Sequence, residues 1–196
     1  MQKLILQYDQ LLKGSYSPGK INFLLVFQVN CPGCFFYAIP TVNRLFDKFG
    51  DRVSFLGLST AFEDYTYNTQ EHTERLLFRY ETIGETKKAL KQQGLEEFPY
   101  PVLFPVAMDS KATNEFNFEK GAEAICQINP NYEIWAEFDQ KAFREKVILY
   151  INNQEYISLT FTLNQMRGTP TMVIFNDLYE ILSCWFGCTE SAVIRQ

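Results

Sequence analysis

The chain has 196 residues, of which 46% are hydrophobic and 16% aromatic, with only 10 Gly and 8 Pro, so it can bury enough surface for one core and does not read as disordered. Its net charge of −5 is spread along the sequence, which excludes the concentrated basic face that nucleic acid requires. The longest strongly apolar run, Ile21 to Phe27, is too short to cross a bilayer, so no membrane association is expected.

The opening "MQKLILQYDQLLKG" interrupts its apolar stretch with Gln7, Asp9 and Gln10 and offers no small-residue cleavage site, which argues against a secretory signal. Five cysteines is an odd number for a fully paired extracellular framework. A cytoplasmic protein with reactive or buried thiols is expected. The next segment, Gly14 to Ile21, has the glycine and lysine spacing of a phosphate loop. It carries Ile21 where a metal-binding hydroxyl belongs and precedes a strand, so it reads as a surface turn.

"KINFLLVFQV" is a continuous apolar run, the pattern of a strand buried on both faces, and it leads into Cys31. Phe36, Ile39, Val42, Leu45 and Phe46 then recur at helical spacing as far as Gly50. Arg52 to Thr60 forms a second buried strand, making a right-handed parallel crossover. Asn68 followed by Glu71 predicts a capped helix, and "GETKKALKQQG" a short one closing at Gly94. Pro99, Pro101 and Pro105 leave Val106 to Met108 as the next strand.

Residues 110–155 are mixed polar and aromatic, with one predicted helix around Phe143, Val147, Tyr150 and Ile151; they read as an insertion within a single domain spanning 1–196. "SLTFTLNQM" suggests a helix. The stretch Arg167 to Gly187 predicts two strands joined by a tight turn at Asn176-Asp177.

Within "VNCPGCFFYAIP", a helix opening at the motif would make Cys31 its cap and Pro32 its first residue, where a missing N–H costs nothing. Cys34 then falls one turn on, on the same face, so the sulfurs can pair without moving the chain. Unpaired N–H groups at that helix mouth favour a thiolate at Cys31, which could attack a disulfide and be resolved by Cys34.

Half of a zinc site and inert packing remain open beside this redox reading. The further zinc ligands would have to come from Cys126, Cys184, Cys188 or the single histidine, His72. The three other cysteines read as small buried hydrophobes, and His72 as a solvated residue of an exposed helix.

The strand into "CPGC", the helix carrying Pro40, the strand "VSFLGLSTAFED" and the distant "MRGTPTMVIFN" together resemble the thioredoxin-like superfamily, most closely its TlpA/redoxin (AhpC/TSA-like) branch, over most of residues 21–108 and 157–188. The resemblance implies an α/β thioredoxin-like fold, a central mixed β-sheet flanked by helices, with the insertion before the cis-proline strand. It further implies a redox-active Cys31–Cys34 pair and a cis Thr169-Pro170 bond against it. Pro32, Gly33, Thr169 and Pro170 would then contact a disulfide or thiol substrate, a protein or a small molecule, and no cofactor or metal is called for.

The chain departs from that pattern at Leu25, where thioredoxins bury an aspartate proton relay, at Asn30 in place of a tryptophan, and in the reversed order Pro32-Gly33. Glu63, just beyond the C-terminal edge of the second strand, is the candidate substitute for proton transfer. Thiol–disulfide exchange is the leading activity. A peroxiredoxin-type peroxidase is the alternative, although Gln28 stands where such sites carry Thr or Ser. A non-catalytic binding module would use Tyr132, Trp135 and Phe138, which more often belong to a core.

Overall fold

Strand β2 (Ile21–Phe27) occupies the middle of a six-stranded sheet in the computed structural model, which describes residues 2–113 and 115–187. Side chains alternate across a strand, and here both sides are apolar. Phe23, Leu25 and Phe27 enter one core, while Leu24 and Val26 enter a second on the opposite face. Each such fully buried side chain contributes about 1.5–3 kcal/mol relative to exposure.

The sheet order is β1 (Tyr8–Lys13), β4 (Val106–Asp109), β3 (Ser54–Ser59), β2, β5 (Thr171–Asn176) and β6 (Ile181–Phe186). β2, β3 and β4 are parallel, whereas β1, β5 and β6 run antiparallel to their neighbours, so the sheet is mixed. Asn176 and Tyr179 close the β5–β6 turn, Tyr179 in the left-handed region at φ 61°.

The helix after β2 begins at Pro32, passes through a π turn at Cys34–Ala38 and continues as α1 (Ile39–Phe49). Pro40 has no N–H to give and its ring would strike the carbonyl one turn back. The wider turn resolves this, with Ile39 N–H bonding to Cys34 O. Ile39 and Val42 pack into the first core, with Phe46 and Phe49 against it.

Helices α2 (Gln70–Arg79) and α3 (Gly84–Gln92) follow β3. The cap of α2 is Thr69, whose hydroxyl accepts the His72 N–H at 3.2 Å, and not Asn68 as the sequence suggested. Asn68 is instead buried and turned toward the segment before Cys31. His72 is half-buried, its Nδ1 lying 2.8 Å from Tyr67 O.

Within residues 110–155 there are two longer helices where the sequence predicted one, α4 (Phe118–Cys126) and α5 (Glu137–Asn152). They pack through a separate apolar cluster that includes Ala122, Ile125, Tyr132, Val147 and Ile151. Short α6 (Leu159–Leu163) is fastened to the end of β4, because Asp109 accepts from the Thr160 and Phe161 N–H groups at 2.8 and 3.1 Å. Among the described residues no helix is long and apolar enough to cross a membrane.

Candidate active site

The three residues that join β2 to Cys31 are buried, and each is held by side-chain bonds from elsewhere in the chain. Val29 O accepts the Thr86 hydroxyl at 2.8 Å. Asn30 N–H donates to Asn68 Oδ1 at 3.0 Å, its Nδ2 donates to Asp64 Oδ2 at 2.7 Å, and its Oδ1 accepts Glu85 N–H at 2.7 Å. These bonds pin the chain immediately upstream of the motif to the starts of α2 and α3. Gly84 permits that contact, since its φ is +55° and a Cβ there would lie 2.2 Å from Asn30 Oδ1.

Cys31 and Cys34 are joined as a disulfide, with Cα atoms 5.3 Å apart. Cys31 is half-buried at the helix mouth and Cys34 is fully buried behind it. The Cys34 N–H donates to Cys31 Sγ at 3.2 Å and to Cys31 O at 3.0 Å. A donor so placed, at the positive end of a helix, stabilises negative charge on that sulfur.

The Thr169-Pro170 peptide is cis. Thr169 O lies 3.6 Å from Cys31 Sγ, and a Cβ at Gly33 would fall 3.9 Å from Pro170 Cδ, so Cys31, Gly33, Cys34, Thr169 and Pro170 meet in one place. Pro32 is half-exposed beside them.

Glu63 joins this group through its backbone. Its carbonyl oxygen accepts from Gln28 Nε2 at 3.3 Å and Asn68 Nδ2 at 2.9 Å, while the residue itself is exposed. Gln28 is almost fully buried and accepts the Thr169 hydroxyl at 3.0 Å. Sequence reasoning read Gln28 and Asn30 only as departures from a pattern. Their signal was polarity: two amides interrupt an apolar run directly before a reactive motif, and buried amides require partners.

Of the other cysteines, Cys126 is buried, as expected, and burial raises its thiol above the ordinary value, with the Tyr132 hydroxyl opposing. Cys184 is exposed on β6, a correction to the expectation of a buried hydrophobe: among the described residues β6 is an edge strand whose side chains on both faces stay largely in solvent. Cys188 lies outside the described residues. Among the described residues no three His, Cys, Asp or Glu side chains gather as a metal-binding group. Tyr132 is buried and Trp135 half-buried against Phe143, while Phe138 is 80% exposed.

A CxxC pair at the start of a long helix, opposed by a cis-proline loop on a central mixed sheet, defines a protein of the thioredoxin-like fold. Two crystal structures superpose over nearly the whole chain. A thiol-disulfide isomerase from Corynebacterium glutamicum matches at TM-score 0.58 and 18% identity, covering 98% of this chain and 90% of that one. A thioredoxin-like superfamily protein matches at 0.57 and 19%, covering 100% and 92%. No family model matches the sequence, and no curated protein does.

Proposed function

We propose that the chain is a thiol–disulfide oxidoreductase of the TlpA/redoxin kind, exchanging disulfides with a protein or a small molecule. The observation that carries this reading is the asymmetry of the pair. Cys31 is reachable and faces an N–H donor, whereas Cys34 is buried one turn behind it. In the reducing direction the Cys31 thiolate attacks one sulfur of a partner disulfide, forming a mixed disulfide and releasing the other partner sulfur as a thiolate. Cys34, as thiolate, then attacks Cys31 Sγ, which expels the first partner sulfur and leaves the Cys31–Cys34 disulfide. An external dithiol restores the pair, and in the oxidising direction the same steps run backwards.

Pro32 and Gly33 form one wall of the substrate site in this reading. Thr169 and Pro170 form the other, and the Thr169 main chain pairs with an extended partner segment. Glu63 is the proposed proton-handling group, its backbone fixed by Gln28 and Asn68. A cytoplasmic setting, and a single domain with residues 110–155 inserted, belong to the same proposal and rest on the cysteine count and the pattern of the chain.

The test is turnover of an insulin-type disulfide substrate with dithiothreitol as donor. Cys31→Ser abolishes it, and Cys34→Ser, pre-reduced and then mixed with substrate in the absence of dithiothreitol, stops at a mixed disulfide visible by mass spectrometry. Full activity in Cys31→Ser refutes the reading.

A further inference from the structure

Resting on that reading, we propose that the groove beside the Thr169-Pro170 loop selects partner segments that carry an acidic residue close to the exchanging cysteine and an apolar side chain just beyond it. From the reactive pair the surface runs over the Thr169-Pro170 loop to Phe186. Thr169 O is 3.6 Å from Cys31 Sγ, and on the far side of the loop Gly187 N–H donates to Pro170 O at 2.8 Å. The Phe186 ring lies against Gly168 so closely that a Cβ there would sit 2.7 Å from its Cε2. Phe186 is 53% exposed and lines a cavity of about 390 Å³ whose wall mixes apolar Leu4, Ile128 and Met166 with polar Gln2, Asn164 and Arg167. An aromatic rim beside a partly apolar recess is a setting in which one partner side chain can contribute strongly to binding.

Charge gives the groove a direction. Arg167 stands at its lip, exposed, and two peptide units from Thr169 its Cα can be no more than about 7.6 Å from that of Thr169. Among the described residues Arg167 makes no salt bridge. The opposite flank of the pair carries Glu63 and Asp64, both exposed and tied to the residues before Cys31 through Gln28 and Asn30. A segment crossing Cys31 therefore meets carboxylates on one side and a guanidinium on the other. An acidic residue is favoured only where it points to Arg167, and the carboxylate flank repels it if the segment is reversed.

Two pairs of synthetic peptides test this, each with a single cysteine disulfide-linked to thionitrobenzoate: one pair differs only in Glu or Lys two residues from the cysteine, the other only in Leu or Ser at the next position. Rate constants are measured for the pre-reduced full chain from thionitrobenzoate release. The Glu peptide reacts about three- to fivefold faster, the scale of a partly exposed ion pair. Arg167→Met erases the ratio, Arg167→Glu inverts it, and 0.5 M salt compresses it in the unmodified protein. Phe186→Ala removes a preference for Leu over Ser at the next position. Equal rates for the Glu and Lys peptides, or a ratio untouched by Arg167→Glu, overturn the groove assignment. Release that persists at full rate in Cys31→Ser overturns the oxidoreductase reading instead.

Discussion

Gln28 Oε1 accepts a hydrogen bond from the Thr169 hydroxyl at 3.0 Å, across 141 residues of sequence, so the end of β2 and the loop facing Cys31 are one mechanical unit. The other end of the same amide donates to Glu63 O. One buried side chain thereby sets the spacing between the loop after β3, the residues before the motif and the cis-proline turn.

Gln28→Leu leaves both the Thr169 hydroxyl and the Glu63 carbonyl without this partner. Thr169 is only half-buried and Glu63 O keeps its bond from Asn68, so the expected loss in urea unfolding is that of ordinary hydrogen bonds, about 0.5–1.5 kcal/mol. The rate of exchange should fall by roughly tenfold as Thr169 drifts, equivalent to ~1.4 kcal/mol in the barrier. Gln28→Glu keeps an acceptor for Thr169 but not the donor to Glu63, and should lie between the two. Unchanged kinetics in Gln28→Leu would show that Thr169 is held by other contacts.

Asn30 and Gly84 form a second coupled pair. Gly84→Ala introduces a Cβ 2.2 Å from Asn30 Oδ1 at a φ of +55°, so it carries both a clash and backbone strain. A loss of about 2–4 kcal/mol is expected. In an Asn30→Ala background the clash is gone and only the strain remains, about 1–2 kcal/mol. A double-mutant cycle by chemical denaturation should therefore return a coupling of at least ~1 kcal/mol. Additive effects would mean that the two residues act independently.

The sheet was legible because β2, β3 and β5 are apolar runs that need two covered faces, and the motif because two cysteines and a distant Thr-Pro stand in order. β1 was not, since Tyr8–Lys13 mixes polar and apolar residues on a partly exposed edge. The cap of α2 was ambiguous because Asn68 and Thr69 are adjacent and both can cap. Asn68 is drawn away by a bond to Asn30, a tertiary contact that local patterning does not contain. The Gln28–Thr169 bond was invisible for the same reason.

Burial separates the two motif thiols. In the reduced protein under native conditions, iodoacetamide should modify Cys31 rapidly and leave Cys34, with 0% exposure, almost unlabelled until the chain is unfolded. Peptide mapping by mass spectrometry measures both rates in one sample. Replacing Glu63 by Gln should shift the pH profile of Cys31 labelling if that carboxylate handles the proton, and a superimposable profile would remove Glu63 from the mechanism. Cys34 labelled as fast as Cys31 would contradict the assignment of attacking and resolving thiols.

Asp109 offers a pH test of the fold that is independent of the thiols. Burial pushes its carboxyl from the ordinary 3.8 up to about 6, while bonds from the Thr160 and Phe161 N–H groups and the Thr60 hydroxyl pull the other way without cancelling it. The folded state thus holds a proton between about pH 4 and pH 6 that the unfolded chain releases. Stability contributed by this group is fully present below pH 4, falls as pH rises, and levels off above 6. Two units correspond to about 2–3 kcal/mol. Other carboxylates superimpose their own trends, so the quantity to measure is the difference in unfolding free energy between the natural chain and Asp109→Asn. That difference should move against the natural chain by about 2–3 kcal/mol from pH 4 to pH 7. A difference that stays flat across this window would mean that Asp109 is ionised throughout, with its three donors outweighing burial.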